Sequence, residues 1–556
     1  MAFKNTPQLV ALIAAILFIP FLGNVHLFDW DEVNFAESAR EMLVTGEYFR
    51  VQINYQPFWE KPPLFFWLQA LSMSVFGVNE FAARFPNAIC GILSLTLLFQ
   101  IGKQTFNPRF AWIWVLFMAG SFTPALYFKT GIIDPWFNLF IFYAIWQLSL
   151  VSQKTEINLR TKRFLYIGIS LGLAVLTKGP VALLVVGLCS LVVLFRNGFY
   201  LFFNFKQIAI MIICIVSIAS LWVVLEISKN GFGVLVDFIN YQIDLFRNPV
   251  AGHGQPWYYH PVVLLIGCFP ASIIALPAFF SKTTLVEESG LKQWMSALFW
   301  CVLILFSIVT TKIVHYSSLC WMPLTFMAAF TIEKRLQNQQ TLPKSIILFL
   351  GLIGFFIGIV LTTIPLIESY KHILIPYIHD SFAKATLDIS ASWLGFEPLL
   401  GMLFLLILTY VMIQFWKNEL TKGIYTLLCF LMLFIPVYLI VVVPKIEQYS
   451  QQSAINFYKS LVGKDCYVET LGMKSYAQYF YSKTLPHSNS KSYDEKWLLH
   501  SNEIDKPVYF VSKIGRLEEI ATYGPIEIGR KGGFVFWKRE PILKDTIGHA
   551  LKPIEQ

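Results

Sequence analysis

Apolar runs of about twenty residues recur along this chain, and a run of that length is what a helix needs to cross a bilayer core. Among its 556 residues 56% are hydrophobic and only 14% are charged, whereas a soluble domain carries roughly a quarter charged residues. The runs predict spans near 7–27, 84–102, 110–127, 134–152, 164–177, 180–196, 207–228, 260–280, 293–311, 316–332, 345–366, 397–416 and 422–443. The reading is a multi-span α-helical membrane protein of about 13 transmembrane helices with a small C-terminal α/β domain. The run at 7–27 is read as an uncleaved first span, since no small-residue cleavage site follows it.

Charge orients the spans. With the N-terminus in the cytoplasm, every inner loop holds Lys or Arg: Lys4, then Lys103 and Arg109, then Arg160 and Lys162, and so on to Lys417 and Lys422. This is the positive-inside pattern, and it accounts for the net charge of +9 without nucleic acid. Residues 445–556 then lie outside the cell membrane, as a soluble α/β module separate from a membrane domain spanning 1–444. Its strand-like runs are Asp465–Glu469, Pro507–Ser512 and Gly533–Lys538, with a helix expected over Ile446–Leu461. The eight Cys form no CxxC or Cys/His cluster, so neither a zinc site of standard spacing nor a disulfide framework is expected.

The external loop 28–83 is the richest segment. Asp31–Thr45 reads as a helix closed by Gly46, and residues 64–76 as an apolar helix too short to span, lying at the membrane surface. Ionisable groups at the outer ends of spans are costly to place there and are candidates for function. Asp31 and Asp134 are candidate catalytic carboxylates, although each also stands where a helix begins and a capping role competes. Lys61, Lys178 and Arg247 are candidate phosphate-binding cations, against the alternatives of a surface ion pair or a snorkelling lysine. Glu32, Glu60, Arg84, His253, Lys312 and His315 fall at the same membrane face as supporting groups, and Glu60 is a candidate ligand for a divalent metal.

The order of motifs is more informative than any one of them. Asp31-Glu32, Ala36-Glu37 and Ala39-Arg40-Glu41-Met42 precede Glu60-Lys61-Pro62-Pro63-Leu64, Trp67-Leu68 and Phe76-Gly77. Glu80-Phe81-Ala82-Ala83-Arg84-Phe85-Pro86, Thr177-Lys178-Gly179-Pro180, Gln255-Pro256-Trp257-Tyr258-Tyr259 and Lys312-Ile313-Val314-His315-Tyr316 follow. This series resembles the GT-C superfamily of membrane glycosyltransferases, in the branch of aminoarabinose–lipid A transferases and protein O-mannosyltransferase-like enzymes.

The resemblance implies transfer of one sugar, with inversion, from a polyprenyl-phosphate donor to a lipid A, envelope glycan or protein acceptor at the periplasmic face of a bacterial inner membrane. Asp31 then matches the catalytic carboxylate, Asp134 a second acid, Glu60-Lys61 a pair near the donor phosphate, and Lys178 and Arg247 further cations. Asn34 stands where the lipid A transferases have Arg, and Tyr241–Arg247 lacks their His, which leaves the sugar and the use of a metal open. No nucleotide cofactor is implied, since neither a P-loop nor a dinucleotide fingerprint is present. A transporter or lipid flippase is the competing class and predicts matched halves with broken helices at the midplane, which the sequence does not display.

Overall fold

The computed structural model describes residues 6–152, 156–198, 204–247, 254–281 and 286–541. A helix stands at each of the thirteen expected spans. Among the described residues six helices are both long and apolar enough to cross a membrane, including Glu80–Thr105, Phe205–Asn230 and Leu420–Gln448. The pair Tyr259–Gly267 and Ala271–Phe280, bent by 110°, has the length and composition of a broken span or a re-entrant loop. Others are short. Pro7–Phe18 has only 12 helical residues, because the chain turns there and Lys129 Nζ binds the carbonyls of Leu17, Phe18 and Pro20. Those are the orphan acceptors of a helix end, satisfied by an ammonium rather than by another turn.

Aromatic side chains lock the helices together. Phe106, Phe110, Trp114 and Phe326 form a continuous cluster joining Glu80–Thr105, Pro108–Ala119 and Trp321–Gln337. Several polar groups within this body find partners, as apolar surroundings favour. Asn138 donates to Ser318 at 2.8 Å, and buried Glu333 binds Arg109 and Asn107 at the expected inner face.

The first external segment folds as two helices, Asp31–Thr45 and Leu64–Phe76, joined by a hairpin of Gln52–Ile53 with Gln56–Pro57. Gly46 closes the first helix in the left-handed region at φ +71°, as expected of a C-terminal glycine. Asn54 and Tyr55 also have positive φ, which matches the twist of a two-residue hairpin turn. Capping differs from expectation. The helix is entered through Trp30 without a side-chain cap, while Asp29 accepts from Ser475 and Glu32 accepts the Phe28 N–H.

The C-terminal unit is a mixed four-stranded sheet. Tyr467–Leu471 runs parallel to Val508–Lys513, followed by antiparallel Phe534–Arg539 and Ile526–Lys531. The last strand escaped the sequence reading because it is an exposed edge whose apolar residues are interrupted by charge and glycine. The single helix expected over Ile446–Leu461 is instead two: Leu420–Gln448 continues about one and a half turns past its apolar run, breaks, and Gln452–Ser460 follows.

The sheet unit and the first external segment share one core. Leu27, Phe35, Phe65 and Phe66 pack with Ile455, Tyr458, Phe480 and Tyr481. A polar latch fastens the same interface. Arg40 pairs with Glu37 at 2.6 Å and donates to the Thr484 carbonyl at 2.7 Å, and the Tyr55 hydroxyl donates to that carbonyl as well. Glu41, fully buried beside them, accepts from the Tyr55 N–H. Burial, then the neighbouring Glu37 carboxylate, push the Glu41 pKa up to about 9.

Folding therefore takes up a proton at Glu41 between the ordinary carboxylate pKa and about 9, and stability falls as pH rises through that window. Glu41→Gln keeps the neutral shape and removes the cost. We expect its melting temperature to match the wild type near pH 5 and to exceed it increasingly towards pH 8.5. The difference should grow by at most about 1.4 kcal/mol per pH unit, read from thermal unfolding of the detergent-solubilised chain.

Candidate functional site

Five chain segments meet at one end of the helical body. The helix Asp31–Thr45 contributes Asp31 at its first turn, and the Trp59–Pro63 turn contributes Glu60 and Lys61. Asp134 opens the helix Asp134–Val151, and Lys178 closes Ile157–Lys178. His315 and Tyr316 come from the 3-10 turn Val314–Cys320.

Their side chains converge. His315 Nε2 lies 3.5 Å from Asp31 Oδ2, Lys178 Nζ binds Asp134 Oδ1 at 2.6 Å, and Lys61 Nζ binds Glu60 at 3.1 Å. Lys178 also stands over the rings of Tyr316 and Phe137, at 5.2 and 5.7 Å. Burial strips hydration from Lys61, yet Glu60 and then Asp31 more than compensate and hold its pKa above the usual lysine value. His315 is pushed the other way. Burial, aided by Lys178 and Lys61, outweighs Asp134 and Asp31, so the imidazole is held neutral.

Asp134 is 2% exposed and its second oxygen has no hydrogen-bond partner among the described residues. It makes no cap bond, since Ile133 occupies the capping position. The capping alternative weighed for it from sequence is therefore not what holds it. Its carboxylate orients Lys178 and leaves one lone-pair face open.

Three of the expected supporting residues do structural work. Arg84 grips Glu32 through two hydrogen bonds of 2.7 and 2.8 Å and also reaches the carbonyls of Leu22, Val25 and His26. Glu32 in turn accepts the Gly131 N–H and the Phe28 N–H, so every polar atom of the pair is engaged. Lys312 is buried and donates to the Val309 carbonyl at 2.7 Å, just past the helix Val286–Ile308. His253 lies outside the described residues, and Arg247, the last residue of Gly233–Arg247, has its side chain outside them.

A divalent metal does not fit the groups present. Glu60, its candidate ligand, is occupied by Lys61, and among the described residues no three His, Cys, Asp or Glu side chains converge as a metal site would require.

Sequence reasoning passed over two aromatic or imidazole groups at this end. Tyr316 faces Lys61, Lys178 and Asp31. His260 is fully buried with neither ring nitrogen partnered among the described residues. The signal for both was present: an ionisable or hydroxyl-bearing ring at the start of an apolar helix.

A polytopic helical body that gathers acids and bases from distant loops at one end, beneath a small mixed sheet, has a solved counterpart. ArnT from Cupriavidus metallidurans, solved bound to undecaprenyl phosphate, superposes with a TM-score of 0.75 at 16% identity, over 96% of this chain and 97% of that one. Residues 60–233 match the family described as dolichyl-phosphate-mannose-protein mannosyltransferase.

Over that segment the chain is similar to the mannosyltransferase family, and in fold it is similar to the solved ArnT. It is 26% identical to the undecaprenyl phosphate-alpha-4-amino-4-deoxy-L-arabinose arabinosyl transferase of Photorhabdus laumondii, over 63% of each chain. It is 27% identical to an uncharacterized protein of Aquifex aeolicus, over 64% of this chain and 80% of that one.

The Asp134–Lys178 pair yields a stability test. Lys178→Met alone leaves a buried carboxylate uncompensated, and breaking such a pair typically costs about 3–5 kcal/mol. We expect a clear fall in melting temperature for that variant and recovery of most of it in the double variant Asp134→Asn with Lys178→Met.

Proposed function

We propose that the chain transfers a single sugar from a polyprenyl-phosphate donor to a hydroxyl or amine of an envelope acceptor, at the periplasmic face of a bacterial inner membrane. The observation that carries this reading is the convergence of Asp31, Lys61, Asp134, Lys178 and His315 from five separate segments. The topology that goes with it has thirteen crossings, an inner N-terminus and the sheet unit, residues 445–556, outside.

In this reading the donor phosphate lies against Lys61 and Lys178. The acceptor heteroatom attacks the anomeric carbon as its proton passes to Asp31. The anomeric carbon–oxygen bond breaks, and its electron pair leaves with the polyprenyl phosphate. Negative charge grows on that phosphate in the transition state, so fixed cations stabilise it more than the ground state. Neutral His315, 3.5 Å from Asp31, lies beside the carboxylate without adding a competing cation. Attack opposite the leaving phosphate gives inversion.

Two variants test the roles. Asp31→Asn keeps shape but not basicity, and we expect transfer to fall by roughly 10²–10⁴-fold with an unchanged melting temperature. Near-normal turnover, measured with a purified polyprenyl-phosphate sugar, would remove Asp31 from the chemistry. Lys61→Met should lower kcat by about 10²-fold or more while binding of polyprenyl phosphate weakens less, because the cation acts chiefly on charge that develops. An equal loss in both would assign Lys61 to ground-state binding alone.

A further inference from the structure

The C-terminal sheet unit holds a cavity of 590 Å³ that the reaction described above does not use. Its size falls within the ~300–1,000 Å³ of small-molecule sites. It opens at the carboxyl ends of the two parallel strands, Tyr467–Leu471 and Val508–Lys513, the edge where α/β sheets characteristically place ligands. The loop after the first strand supplies Lys474 and Tyr476, and the turn after the second supplies Arg516. Glu495 and His500 come from the helix Glu495–His500, and Tyr523 from just past Leu517–Ala521.

The site is built rather than incidental. Gly472 turns the first loop at φ +66°, and a Cβ there would meet the Arg516 guanidinium at 2.2 Å. The glycine lets Arg516 lie flat against the backbone at the end of the strand. Arg516 and Glu519 are paired, which fixes a planar donor–acceptor face in the wall. On the floor, Glu469 is held by the Tyr479 hydroxyl at 2.6 Å and by Gln478. Burial raises its pKa, so the floor carries less charge than its residue type suggests. Half-exposed Tyr523 stands edge-on to His500 at 5.3 Å, leaving a phenol face towards the opening.

This lining alternates donors and acceptors and adds ring faces. A bare anion would meet Glu495 and Glu519 as well as the cations, and an apolar ligand would strand all of these groups. A saccharide satisfies both halves: its hydroxyls bond carboxylates and guanidinium in turn, and its C–H faces lie on tyrosine rings.

The rim of the cavity touches the catalytic loop. Ser475 donates to Asp29 at 2.9 Å, and Lys474 stands over the Trp30 ring, the two residues that lead into Asp31.

We propose that this cavity is a carbohydrate-binding site, which, given the transferase reading above, holds the glycan part of the acceptor. The full chain in lipid nanodiscs is tested by saturation-transfer NMR with chitobiose and with the deacylated, dephosphorylated glucosamine disaccharide. Inorganic phosphate is tested by displacement. We expect signal on at least one disaccharide, about tenfold weaker binding in Tyr523→Ala and in Glu495→Gln, and unchanged binding in Asp31→Asn.

Signal on neither sugar, signal undiminished in both cavity variants, or displacement by millimolar phosphate would each overturn the proposal. Both variants alter exposed side chains, and their melting temperatures should match the wild type. In the transfer assay Tyr523→Ala should raise KM for a glycan acceptor and leave KM for the donor unchanged. Sugar binding by a wild-type chain that shows no turnover would uphold the cavity and count against the transferase reading.

Discussion

The Arg84–Glu32 pair is the joint from which the external face is hung. Arg84 sits near the start of a membrane helix and collects three carbonyls from the turn after the first helix, at Leu22, Val25 and His26. Glu32 answers it and also takes the Gly131 N–H, three residues before Asp134. One buried ion pair thereby ties together the end of the first helix, the start of the external helix and the loop into the helix of Asp134. Asp31 is the immediate neighbour of Glu32, so its position is set by a pair whose desolvation is offset by five further hydrogen bonds to backbone groups. An isolated pair at that depth would be a liability. As a hub for otherwise orphaned backbone groups it is a scaffold.

The helical body was legible because the bilayer imposes lengths and charges that a sequence displays directly. Runs of apolar residues marked a helix at every expected span, and the glycine at position 46 marked the end of the external helix. What was not legible is where the helices stop within their runs. Pro7–Phe18 ends early because Lys129, more than a hundred positions away, binds its last carbonyls. Leu420–Gln448 ends late because its last turn is held from outside its own run: Glu447 meets His26, in the turn after the first helix, at 3.0 Å. Both outcomes depend on partners that no local window contains.

The same limit applied to the site. Sequence placed Asp31, Glu32, Glu60, Lys61, Arg84, Asp134, Lys178 and His315 at one membrane face, and they are together there. It could not separate those engaged on every side from those with an open face. Glu32 and Asp31 are adjacent acids with the same local context, and only the partner decides: Arg84 and two backbone amides fill Glu32, whereas Asp31 meets a neutral imidazole at 3.5 Å. The family resemblance singled out Asp31, Lys61, Asp134 and Lys178, a choice that local chemistry alone does not make. Tyr316 and His260 stayed hidden because aromatic residues near span ends are common for reasons of membrane anchoring alone.

The sheet unit is joined to the external helix closely enough that the two behave as one body. They share a core, and the Arg40–Glu37–Thr484 latch crosses between them. Contacts at Asp29 and Trp30 bring the edge of the sheet to within two residues of Asp31. A ligand that ordered the loop carrying Lys474 and Ser475 would therefore act on the entry to the external helix, which begins through Trp30 at φ 72°, a conformation few residues adopt unaided. That strained entry is held from the sheet side by the Ser475–Asp29 hydrogen bond and the Lys474–Trp30 contact. The position of the carboxylate at 31 is thus shared between two supports: Arg84 from within the membrane body, and the loop after the first sheet strand from outside. Chemistry placed at the meeting point of two rigid supports keeps its geometry without relying on the loop itself for stiffness.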